Sequence, residues 1–78
     1  MLGRLQSLLR DTTGSSSLVI SSGSHIHRDL GIDSITLVTF AFMCEREFSV
    51  DLASEGEAVV AVETIEDLIQ LIRQQGGE

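Results

Sequence analysis

"DLGIDSITLVTFAFMCEREF", Asp29 to Phe48, decides how this chain reads. Its opening places Ser34 between an aspartate and an isoleucine, and a largely apolar run follows to Cys44. The pattern predicts a helix from Ser34 to about Phe48. Leu37, Phe40, Ala41, Cys44 and Phe48 recur at core spacing. Ile35, Val38 and Phe42, then Glu45, form a second face. A helix with two apolar faces is either central in its fold or shows one face to a partner. Ile35, Thr36, Val38 and Thr39 are β-branched, so tertiary packing must hold this helix.

Upstream, Leu2, Leu5, Leu8 and Leu9 predict a short amphipathic helix over 2–11. "TTGSSS" breaks it, and a serine- and glycine-rich loop follows. Leu18, Val19 and Ile20 read as a pin that ties this loop to the core. Downstream, Ser54 with Glu57 fits a capping box opening a short helix near 55–61, with Gly56 weakening its first turn. Thr64 with Asp67 fits a second box. The helix that it opens puts Ile65, Leu68, Ile69 and Ile72 on one face, and Gly76 and Gly77 end it.

A chain of 78 residues is one domain with a thin core. Cys44 is the only cysteine, so no internal disulfide is possible. In its apolar run it reads as a small buried hydrophobe, in a reducing, cytoplasmic setting. "MLGRLQSLLR" is too broken by arginine and glutamine for a signal peptide. Ser34–Cys44 is too short for a membrane span. The net charge of −7 is uneven: residues 1–44 hold three acids and three arginines, residues 45–78 nine acids and two arginines. Nucleic acid and anionic lipid need positive groups and are disfavoured as partners. A basic protein surface is favoured, and acidity also keeps a small apolar domain soluble.

Ser34 looks placed for chemistry, yet its chain offers little to activate it. Hydrolytic serine chemistry needs a base and an orienting acid. The only histidines, His25 and His27, alternate in "SHIHRD" a few residues earlier, without an oxyanion glycine pattern. Their spacing, with one distant cysteine, does not suit zinc. They read as exposed loop residues, and neither a catalytic set nor a metal site is expected. Serine is also a favoured N-cap where a periodic run begins. That would account for the serine, but not for the whole phrase Asp29-Leu30-Gly31-Ile32-Asp33-Ser34-Ile35.

"DLGIDSI" followed by a helix resembles the acyl carrier proteins, whose signature is Asp-Leu-Gly-x-Asp-Ser-Leu/Ile. The resemblance covers most of the chain: a short first helix, a long loop, the signature, a long second helix closing with "EREF", a short third helix and a final amphipathic one. It implies an all-α four-helix bundle, one carrier domain over 1–78 with 76–78 as a flexible tail, and a monomer. It implies that Ser34 takes 4′-phosphopantetheine from coenzyme A through a separate phosphopantetheinyl transferase with Mg²⁺, and that Asp33 helps present it. The protein would then be no enzyme. It would carry acyl intermediates as thioesters to loading, condensing and acyl-transfer enzymes of fatty acid, lipid or polyketide-type biosynthesis. Ile35, Val38 and Phe42 would be apolar docking contacts and Glu45 an acidic one. Phe42 as ordinary core is the other reading. Acyl chains would slip between the helices.

The sequence departs from the fatty-acid-synthesis pattern. Thr36 and Thr39 stand where those carriers hold acids, and Arg46 interrupts "EREF". Ala53 replaces a proline often seen before the third helix, in a loop longer by about two residues. "SSSLVISSGSHIH" matches no family pattern. These points favour a specialised carrier of a secondary-metabolite, polyketide-like or unusual lipid pathway. A peptidyl or aminoacyl carrier is the nearest alternative, although its usual Gly-Gly-x-Ser signature is absent. An unmodified module of the same fold, with Ser34 as a cap only, is the other.

Overall fold

Four helices account for most of the computed structural model, which describes residues 1–76. They are α1 (Leu2–Thr13), α2 (Ser34–Phe48), α3 (Gly56–Ala61) and α4 (Ile65–Gln74). A 3-10 turn, Ala53–Glu55, leads into α3. Among the described residues there is no strand, only an isolated bridge between His25 and Thr64. The all-α bundle that the resemblance implied is the fold.

Helix α1 runs two residues past its expected end. The Thr12 and Thr13 hydroxyls donate to the Leu8 and Leu9 carbonyls and so keep both threonines helical. Gly14 then stops it in the left-handed region at φ 74°, where its N–H donates to the Arg10 carbonyl at 2.8 Å. Leu5 and Leu9 are fully buried against α2. Arg4 ties the helices together, its guanidinium 2.8 Å from Glu47 and stacked 4.6 Å from the Phe48 ring centre. Both partners of that ion pair are partly exposed, so it is worth at most about 1 kcal/mol.

Helix α2 has the expected bounds, and the same five residues are buried: Leu37, Phe40, Ala41, Cys44 and Phe48. Burial pushes the Cys44 thiol up to about 12, with the nearby Glu47 charge adding to the shift.

The long loop is pinned in part as expected. Ile20 is buried and Leu18 partly so, but Val19 is 70% exposed. Helix α1 holds the pin: Arg10 Nε donates to the Leu18 carbonyl, and the Ile20 N–H donates to Gln6 Oε1.

The Ser54–Glu57 capping box does not form. The N-cap of α3 is Glu55, with no side-chain bond. The chain begins to turn earlier, where buried Leu52 meets the core and Asp51 Oδ1 accepts from the Ser54 N–H. Ser54 therefore lies inside the 3-10 turn and cannot cap α3. The Thr64–Asp67 box is present in both directions. Its bonds hold the Asp67 carboxyl below the usual carboxylate range, led by the backbone N–H groups of Glu63 and Thr64. The Gly76 N–H donates to the Arg73 carbonyl at the end of α4, while Gly77 and the rest of the expected tail lie outside the described residues.

Candidate functional site

The phrase Asp29–Ile35 forms a turn with buried apolar anchors and an exposed tip. Asp29 closes it on the upstream side, where Oδ2 accepts from the His25 N–H at 2.8 Å and its own N–H donates to the His25 carbonyl. Gly31 takes φ 67°, which a side chain would strain. Ile32 is buried at 3% exposure and its N–H donates to the Ile26 carbonyl. Asp33 and Ser34 emerge from this anchor into solvent.

Asp33, not Ser34, is the N-cap of α2. Its backbone is extended (φ −85°, ψ 175°), and Oδ1 accepts from the Thr36 N–H at 2.8 Å. Ser34 is the first helical residue, with an exposed side chain that makes no hydrogen bond among the described residues. Both residue types cap well, so only the backbone bend one residue earlier separates the two readings.

The helix start is chemically open. In α4 the first N–H groups are all taken: Ile65 donates to the Ser24 carbonyl, Glu66 to Ser22 and Asp67 to Thr64 Oγ1. In α2 the N–H groups of Ser34 and Ile35 have no acceptor among the described residues, while that of Thr36 is bound to Asp33. Two free donors and the positive end of a 15-residue helix dipole thus surround the Ser34 hydroxyl. The two free N–H groups could donate to a phosphodiester on that oxygen, so this end fits a phosphate-linked group.

The Asp33 carboxyl is held below its ordinary value of 3.8, first by the Thr36 backbone N–H, then by the Thr36 hydroxyl, with the His27 charge a smaller cause. Thr36 thus supports the capping carboxylate where fatty-acid carriers place an acid. Thr39 donates its hydroxyl to the Ile35 carbonyl. Because the folded Asp33 value is depressed, the carboxylate stabilises the fold above the ordinary carboxylate range. That stabilisation is lost as pH falls through the lowered value. Thermal melts from about pH 7 to about pH 2 should show a smaller acid drop in Asp33→Asn than in the parent protein. Some drop remains, because Asp67 titrates with the same sign.

Along α2 from Ser34, the exposed apolar residues are Ile35 (80%), Val38 (37%) and Phe42 (52%). Val60 of α3, which the sequence pattern did not single out, joins them at 52%. A six-residue helix gives too little periodicity to show which face Val60 takes. Val38, Phe42, Val59 and Val60 border a cleft of about 190 Å³ between α2 and α3, with Leu52 at its floor and the partly buried Glu45 at its rim. Val38 lies one turn below Ser34, about 6 Å along the axis. Glu47 is engaged by Arg4, which leaves Glu45 as the acid of "EREF" on this side.

The histidines belong to the frame that carries Ser34. His25 is partly buried, and its Nδ1 accepts from the Arg28 N–H. His27 is exposed, with Nδ1 against the Ile32 carbonyl. Among the described residues no cluster of histidine, cysteine and acidic side chains is arranged to hold a metal ion. No described helix is long and apolar enough to cross a membrane.

These features meet in one kind of protein. A family model described as "Phosphopantetheine attachment site" matches residues 3–72, nearly the whole chain, and reaches from α1 into α4. No curated protein matches the chain. Domains of this family work with a phosphopantetheinyl transferase and with biosynthetic enzymes. The chain belongs to the phosphopantetheine attachment-site family: it is a carrier domain of the acyl carrier fold, and its cofactor is covalently attached 4′-phosphopantetheine.

Proposed function

We propose that Ser34 is the attachment point and that the load is an acyl group. The arm, once bound, supplies a terminal thiol that holds the load as a thioester. The residues of this chain present, shelter and hand over that load, and partner enzymes perform the reactions. Asp33 fixes the first turn, and the open N–H groups of Ser34 and Ile35 receive the phosphodiester. Ile35, Val38 and Phe42 meet loading, condensing or acyl-transfer enzymes, with Glu45 turned to a basic partner surface.

The observation that carries the acyl reading is the cleft. It begins one turn below Ser34 and is bordered by valines, Phe42 and Leu52. Its volume of about 190 Å³ is below the ~300 Å³ at which drug-sized ligand sites begin, which suits a short hydrocarbon chain. A peptidyl or aminoacyl load would leave its amide and amine groups without partners on such a wall. The departures at Thr36, Thr39 and Arg46 favour a specialised lipid or polyketide-type pathway over bulk fatty acid synthesis.

Loading the arm with a hexanoyl group should move the methyl resonances of Val38, Val59 and Val60 and raise the melting temperature. A glycyl load should do neither. Equal responses to both loads, or none to hexanoyl, would remove the cleft as the basis for an acyl cargo.

A further inference from the structure

The structure gives the "HIH" segment, His25 to His27, a definite place. Its backbone is tied to the start of α4, where the Ile26 N–H donates to the Glu63 carbonyl and His25 bridges Thr64. Ile26 is buried at 1% exposure. His27, the next residue, reaches forward to the Ile32 carbonyl, two residues before Ser34. A carbonyl can only accept, so Nδ1 carries the proton of that bond. The Ile32 N–H meanwhile donates to the Ile26 carbonyl. The peptide groups just ahead of Asp33 and Ser34 are therefore held from both sides by residues 26 and 27. Between His27 and Ile32 in the chain lies Gly31, the one residue of the turn with positive φ.

We propose that His27 is a positioning residue for modification of Ser34: by donating from Nδ1 to the Ile32 carbonyl, it locks the turn that delivers Asp33 and Ser34 to the transferase. This rests on Ser34 being the attachment point. The bond works locally, because no helix depends on it. The N-cap bond of α2 comes from Asp33, and the α4 cap comes from Thr64 and Asp67. Without the His27 bond the helices persist, but the turn at Gly31–Asp33 loses one of its two ties. A transferase must then order it on binding, and transfer slows.

Asparagine offers the decisive substitution. Its Nδ2 branches from Cγ where the imidazole Nδ1 does, so His27→Asn keeps a donor at that place without a ring or titratable charge. His27→Ala removes the donor. His27→Asp sets a carboxylate against the Ile32 carbonyl. Transfer of phosphopantetheine from coenzyme A is followed by intact mass for all four proteins, alongside thermal melts and amide exchange at Ile32 and Thr36. His27→Asn should keep kcat/KM within about twofold of the parent, while His27→Ala and His27→Asp should lose about fivefold to tenfold, the size of one hydrogen bond. Those two should also show faster exchange at Ile32 and Thr36, whose N–H groups are bonded to Ile26 and Asp33, with exchange in α4 unchanged. Parent-like transfer in His27→Ala and His27→Asp, or His27→Asn as slow as His27→Ala, overturns the inference. Should the parent protein gain no mass, the attachment at Ser34 falls, and amide exchange alone decides the lock: unchanged exchange in His27→Asp refutes it.

Discussion

Ser34→Ala is expected to abolish phosphopantetheine attachment completely while leaving the four helices folded. The two halves of this expectation come from different residues. The hydroxyl is the proposed acceptor, and the other side-chain oxygens of the first turn, those of Asp33 and Thr36, are engaged with each other in the cap. The cap of that helix is Asp33, so removing the serine hydroxyl deletes no hydrogen bond of the fold. A serine acting as N-cap would cost about 1 kcal/mol on replacement by alanine, whereas a first-turn residue costs far less. Intact mass after incubation with coenzyme A, Mg²⁺ and a broad-specificity transferase checks the first half. Circular dichroism checks the second. A mutant that still gains the arm places attachment elsewhere. A mutant that fails to gain it because its helices have melted leaves Ser34 as a structural residue only.

The second large effect separates two phenylalanines on one helix. Phe40 is 1% exposed and packs among the fully buried side chains, whereas Phe42 is half exposed at the cleft mouth. Phe40→Ala should cost about 3–5 kcal/mol through lost burial and the cavity left behind. A domain of this size has only about 4–12 kcal/mol in total. The melting temperature should therefore fall by roughly 12–40 °C, or the protein should not fold at all. Phe42→Ala should cost about 1 kcal/mol and instead slow acyl transfer to partner enzymes. Thermal melts with a transfer assay on both variants give the comparison. A large stability loss at Phe42 with normal transfer would make it a core residue.

Much of the fold could be read from the chain because its local signals agree with its tertiary ones. Helix α2 was bounded correctly, and its five core positions followed from spacing alone. The Thr64–Asp67 box was equally plain, since its partners are three residues apart. The errors have physical causes. Asp33 and Ser34 are adjacent and equally good caps, and only backbone geometry chooses between them. Ser54–Glu57 has the right letters for a box, but buried Leu52 starts the turn earlier, under Asp51. The task of "HIH" was not legible, because it depends on backbone bonds to Glu63 and Thr64 and on a carbonyl five residues downstream of His27. No periodicity records such bonds. The attachment phrase itself was legible only through family resemblance. Its spacing suggests a capped helix, and the open donors beside Ser34 show only in three dimensions.

Cys44 gives the bundle a last property. A carrier whose phosphopantetheine arm ends in a thiol exposes its own side chains to exchange with any load held there as a thioester. Any second reactive sulfur would be a trap, taking the cargo onto the chain beyond the reach of the next enzyme. Cys44 is fully buried, and that burial pushes its thiol up to about 12, so it stays protonated at pH 7. Dry and protonated, it does not compete with the arm, and the cargo keeps a single address.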